Sequence, residues 1–195
     1  TTITINLPSD VANRIMHLRS ITKSLLHIQK VFGRHLNNYN VELIEIKRRN
    51  TVSDRIIYQP REAVYEKEYP VPEEVAQRVG KTTLIIKRAA EPMEDTDEKG
   101  VNISSGGYTK EKTMFGLDNE PYSNHFFGEW EIPKLDQYIG PNPPMLSTRQ
   151  LQLNPENEMV QTIYQFGKEI LKEEIRRFAK DERLRKQDET LRKLS

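Results

Sequence analysis

Residues 80–82, Gly-Lys-Thr, are three residues with which many nucleotide-binding proteins hold the phosphates of ATP or GTP. That chemistry also needs a glycine five residues ahead of the Gly-Lys pair, so that the loop curls tightly and its N–H groups converge on the phosphates. Val75 occupies the position, within Pro72-Glu73-Glu74-Val75-Ala76-Gln77-Arg78-Val79. The order of elements is also reversed. A phosphate loop runs from strand to helix, whereas Gly80 precedes Thr82-Thr83-Leu84-Ile85-Ile86, whose β-branched residues favour a strand. Gly80-Lys81 therefore reads as a turn into a strand, and no nucleotide or other cofactor is assigned.

His125 stands beside Phe126-Phe127 and near Asp118 and Glu120, a setting in which an imidazole could serve as general base with a carboxylate partner. No serine or cysteine elbow accompanies it, and no catalytic residue is assigned. His17, His27 and His35 are ten and eight residues apart and miss the four-residue spacing of a helical metal site. Glu94, Asp95, Asp97, Glu98 and Gly100 do not follow the order of a calcium loop. With no cysteine in the chain, thiolate ligands, thiol nucleophiles and disulfides are excluded. The expectation is a protein that is not an enzyme and holds no metal.

Basic residues carry the other candidate chemistry. Arg14, Arg19, Lys23, Lys30 and Arg34 precede Lys47-Arg48-Arg49, so residues 1–50 hold 8 Lys/Arg against 3 Asp/Glu. Such a surface suits phosphate contacts, and Lys23, Lys30, Arg34, Lys47, Arg48 and Arg49 are the candidate nucleic-acid contacts. Residues 51–146 reverse the balance, with 11 Lys/Arg against 17 Asp/Glu, while the whole chain is nearly neutral at +1. Alternating charge blocks equally suit docking onto charged neighbours or onto copies of the same chain.

The elements that would position these residues follow from periodicity. Thr2 to Leu7 alternate like a strand, and Pro8-Ser9-Asp10 supply a stop and a cap. This opening resembles that of ribbon-helix-helix repressors over about a twentieth of the chain. It then departs from them, because the next amphipathic pattern runs unbroken to Asn37. Val11, Ile15, Leu18, Leu25, Phe32 and Leu36 predict one long helix there. Val41 to Ile46 and Arg55 to Tyr58 read as antiparallel strands around a loop at residues 50–54, with Thr82 to Lys87 as a third member.

From Ala89 to Tyr108 the chain is acidic and then Ser/Gly-rich, which reads as loop. Tyr122, Phe126, Phe127, Trp130 and Tyr138 follow among Pro121, Pro133, Pro141, Pro143 and Pro144 without a sustained period. Aromatic, proline-rich segments of this kind often lie across a partner, and these five residues are the candidate partner-binding anchors. Asn154 and Pro155 then open a helix whose face is Val160, Ile163, Tyr164, Gly167, Ile170, Leu171, Ile175 and Phe178. Beyond Ala179 only Leu184, Leu191 and Leu194 remain amid mixed charge, predicting a helix that projects from the body.

The expected architecture is α+β. Residues 1–88 would form a core with a long N-terminal helix over a small antiparallel sheet, 89–153 an extended acidic and aromatic arm, and 154–195 a C-terminal amphipathic helix. At 195 residues with 35% hydrophobic and 30% charged residues, the chain is lean in apolar surface. No run approaches the ~20 apolar residues of a membrane span. The start has neither a basic nor an apolar region of a secretory leader. These features predict an intracellular or virion-internal structural subunit whose partners are other proteins or copies of itself, with nucleic acid as the alternative partner and no small-molecule substrate.

Overall fold

The computed structural model describes residues 41–47, 50–56, 61–94, 98–147 and 152–194. The long N-terminal helix expected before Asn37, with His17, His27 and His35 on it, lies outside the described residues. The chain divides into two units, residues 1–59 and 60–195. In the first, β1 (Val41–Lys47) and β2 (Asn50–Ile56) pair antiparallel, from Val41 opposite Ile56 to Lys47 opposite Asn50. Residues 50–54, expected as loop, are therefore strand, because pairing continues to Lys47.

The second unit is a five-stranded sheet with one long helix on its inner face. Its elements are β3 (Tyr65–Pro70), α1 (Glu73–Val79), β4 (Thr83–Arg88), β5 (Gly100–Ser105), β6 (Tyr108–Thr113), β7 (Phe126–Glu131), α2 (Lys134–Gln137), β8 (Met145–Ser147), β9 (Gln152–Leu153) and α3 (Glu158–Leu194). The strand order is β3-β4-β7-β5-β6. All neighbours run antiparallel except β5 and β7, which are parallel, so the sheet is mixed. The α+β class holds, but two expectations need correction. β4 belongs to this sheet and not to that of β1 and β2. Residues 89–153 are not an extended arm, since they supply β5, β6 and β7, three of the five strands.

The strands form here because their side chains alternate between a buried and a wetter face. Leu84 and Ile86 of β4, Val101 and Ile103 of β5, and Phe126 and Trp130 of β7 are almost wholly buried. On α3 they meet Val160, Ile163, Leu171 and Ile175, a set taken from the seam its spacing predicts. The reverse turn between β5 and β6 is Gly106-Gly107, with φ of 58° and 78°. Two successive left-handed residues give the backbone twist a tight hairpin needs, and glycine adopts them without a Cβ penalty.

Helix α3 begins three residues later than Asn154 suggests. Its cap is Asn157, 1% exposed, whose Oδ1 accepts from the N–H of Met159 at 2.9 Å and of Val160 at 3.2 Å. Its amide also donates to the Asn142 carbonyl at 2.6 Å, while Asn154 holds the Pro143 carbonyl at 3.0 Å. The proline-rich segment is thereby tied to the start of the helix. Replacing Asn157 by Ala removes the cap and the tie to the Asn142 carbonyl, and should cost about 2 kcal/mol in denaturant unfolding. Asn157→Asp keeps the cap oxygen and should recover part of that loss. A loss under about 0.5 kcal/mol for the alanine variant would assign the helix start elsewhere.

No described helix is long and apolar enough to cross a membrane.

Candidate functional site

Gly80 closes α1 with φ of 88°, its N–H bonded to the Ala76 carbonyl, and the chain passes directly into β4. The helix-to-strand order read from the sequence is thus present around Gly-Lys-Thr. His125 follows Tyr122, which has left-handed backbone, and precedes β7. Its ring lies 5.1 Å from that of Phe178 and 6.2 Å from that of Tyr122, with Nδ1 3.4 Å from the Ala89 carbonyl oxygen. Asp118 and Glu120 instead line an open cleft with Glu94 and Lys99, where Lys99 Nζ approaches Asp118 at 3.7 Å. His125 does not line that cleft, and among the described residues no hydrogen bond or ion pair joins its ring to Asp118 or Glu120. Among the described residues no three His, Asp or Glu side chains are grouped as a metal ion requires.

The aromatic anchors separate by face. Trp130 is fully buried and Phe126 nearly so, because alternate residues of β7 turn inward. Trp130 packs against Phe166, centroids 5.6 Å apart, and Phe126 against Phe178 at 6.0 Å. Neither is available to a partner, which corrects their reading as interface anchors. Tyr122 is half-buried, edge-on to Phe178 at 5.4 Å. Tyr138 packs on the margin of the core, and Phe127, half-buried, lies on the opposite sheet face from Trp130. Of the nucleic-acid candidates, Lys23, Lys30, Arg34, Arg48 and Arg49 lie outside the described residues. Lys47 is the last residue of β1, at the paired end nearest β2.

Two polar clasps hold α3 to the edges of the sheet. At the β3 edge, Glu174 is 2% exposed, and its carboxylate accepts from the Tyr69 hydroxyl and the Arg177 guanidinium, with Lys67 Nζ 3.9 Å away. At the β6 edge, Glu111 accepts from the Tyr164 hydroxyl and, at 2.6 Å, from the Leu153 N–H. A buried carboxylate with several donors is satisfied, whereas one stripped of them is costly. Nothing in this geometry calls for a substrate, and both clusters serve to seat the helix.

These clasps set an alkaline limit. Burial, helped by the neighbouring Tyr65, pushes the Tyr69 phenol up from 10 to about 12. Burial and then the bond to Glu111 raise Tyr164 as well. Both groups bind their protons more tightly folded than unfolded, so their contribution is complete below pH 10 and is lost as pH rises through the folded values. The urea midpoint should fall between pH 10 and 12, and less steeply in a Tyr69→Phe/Tyr164→Phe double variant. An equally steep fall in that variant would place the alkaline transition on other groups.

What remains unexplained by packing is the far half of α3. Phe178 is the last side chain of the helix seated on the body, stacked with Arg88 at 4.3 Å and with Tyr122 and His125. From Lys180 to Lys193 every residue is exposed except the half-buried Glu182. At 1.5 Å per residue that stretch extends about 20 Å. Leu184 is 51% and Leu191 66% exposed along it. The sequence indicated this element directly, through the thinning of its apolar pattern after Ala179. No family model matches the chain, and neither a curated protein nor a solved structure matches it.

Proposed function

We propose that this chain is a non-catalytic structural or interaction subunit of a larger macromolecular assembly, docking through the free half of α3. The observation that carries this reading is the 37-residue helix itself, which is clasped to the sheet up to Phe178 and then continues, bearing exposed leucines, away from it. An isolated helix of about 15 residues is marginal in water, and exposed leucines along it gain most when a partner covers them. The lean apolar composition of the whole chain supports the same reading.

Deleting residues 181–195 tests it. The deletion removes no residue that packs in or on the core, the last of which on the helix is Phe178, so the thermal midpoint should stay within about 2 °C of the full chain. Incorporation into the native assembly, followed by co-sedimentation, should be lost. Full incorporation of the shortened chain would refute docking through α3.

The β1–β2 hairpin supports a second reading. Pairing of Lys47 with Asn50 sets Lys47 at the closed end of a two-stranded ribbon, with Arg48 and Arg49 between them in sequence. Ribbons of this kind fit nucleic-acid grooves. Changing Lys47, Arg48 and Arg49 together to Ala would then lower affinity for DNA or RNA and flatten its salt dependence by about three units of slope. Absence of binding at low salt would eliminate this reading.

A further inference from the structure

We infer that the occupant of the exposed face of α3 is the same helix of a second copy, paired parallel and in register. This rests on docking through α3 and names its partner. Leu184, Gln187, Leu191 and Leu194 fall at spacings of three and four, the a and d positions of a two-stranded coiled coil. At about 100° per residue they lie roughly 120–180° around the helix from Phe178. The seam therefore points away from the side that seats on the sheet, and a second helix can approach without meeting the sheet.

Charge selects the partner and its direction. In this frame Arg176 and Arg183 occupy g positions, and Asp181 and Asp188 occupy e positions. In a parallel pair each g residue faces the e residue five positions further along the partner helix. Arg176 then meets the partner's Asp181, and Arg183 meets the partner's Asp188. An antiparallel pair would set Arg against Arg and Asp against Asp.

The internal ion pairs agree with this division. Arg185 pairs with Glu182 at 3.0 Å and Glu189 at 4.0 Å, all on the outer b and f positions. Among the described residues, Arg176, Asp181, Arg183 and Asp188 have no such partner within the chain and remain available to a second copy. Gln187, at a d position, would meet its own counterpart, and two facing amides can hydrogen-bond only when the register is matched.

Sedimentation equilibrium of the full chain at low salt tests this, with circular dichroism confirming that each variant is folded. The native chain should show concentration-dependent dimers, and Leu184→Asp/Leu191→Asp should be monomeric. Arg183→Glu places like charges at both symmetry-related contacts and should raise the dissociation constant about tenfold. The double variant Arg183→Glu/Asp188→Arg restores opposite charges in the parallel pair and should recover native affinity. A native chain that is monomeric at every soluble concentration overturns the inference. So does a dimer indifferent to the leucine changes, or a double variant no tighter than Arg183→Glu. If the chain is monomeric yet its incorporation still requires residues 181–195, self-pairing fails and docking through α3 stands. Incorporation that ignores the deletion refutes docking even if copies pair.

Discussion

Trp130→Ala should destabilise the sheet unit by about 3–5 kcal/mol, the range for truncating a large buried aromatic. Trp130 has no exposed surface, sits in the central strand β7, and contacts both the inner face of the sheet and Phe166 of α3. Its loss would open a cavity where the two layers meet, and neither layer can collapse into it without breaking the ladders to β4 and β5. Since total stability of a domain is of order 5–15 kcal/mol, the variant should be partly unfolded or nearly so. Trp130→Phe should cost much less. It keeps most of the ring contacts and also removes the indole Nε1, which has no hydrogen-bond partner among the described residues. Urea unfolding of the two variants decides the point. A Trp130→Ala protein as stable as the native chain, but deficient in assembly, would return this residue to an interface.

The contrast between α3 and β7 shows which features were legible in the sequence. The seam of α3 repeats for about five turns, so its apolar face stood out and its buried residues match it closely. Gly167 on that face has a tertiary cause: a Cβ there would lie 2.4 Å from the ring of Phe115, which packs against the helix and edge-on to Tyr164. β7, Phe-Phe-Gly-Glu-Trp-Glu, does have period two, with Phe126, Gly128 and Trp130 inward. Its signal was masked because the middle inward residue has no side chain and Phe127 sits on the outer face. The prolines around it suggested an extended arm, yet they lie in the connections on either side of the strand.

The β5–β6 hairpin was legible but unread. Gly106-Gly107 joins two runs in which Val101, Ile103, Ser105 and Thr109 are buried, the standard mark of a two-residue turn between strands. The parallel pairing of β5 with β7 was not legible, because 20 residues or more separate the two strands and no local pattern encodes which neighbour closes the sheet. For the candidate site, the charged, thinly apolar end of α3 was visible in sequence. Which of its charges are already paired was not, since that depends on knowing that Arg185 is occupied by Glu182 and Glu189.

Gly128→Ala should cost about 3 kcal/mol despite adding only a methyl group. The new Cβ would lie 2.3 Å from the Ile85 carbonyl oxygen and 3.3 Å from Cγ2 of Val101. The first of these is a backbone atom of β4, which is paired to β7 on one side and to β3 on the other, so it cannot swing aside as a side chain would. On the other side β5 is held between β7 and β6. Relief therefore requires β4 and β7 to separate and to lose ladder hydrogen bonds at the middle of the sheet. Alanine gains roughly 0.5–1 kcal/mol over glycine in backbone entropy, while overpacking a core costs 1–3 kcal/mol and more when backbone must move. The steric term wins. The expected result is a lowered urea midpoint at unchanged m-value, together with faster hydrogen exchange of the β4 and β7 amides relative to those of α1. If the variant were as stable as the native protein, β4 and β7 would not be neighbours at this register, and the order β3-β4-β7-β5-β6 would have to be redrawn.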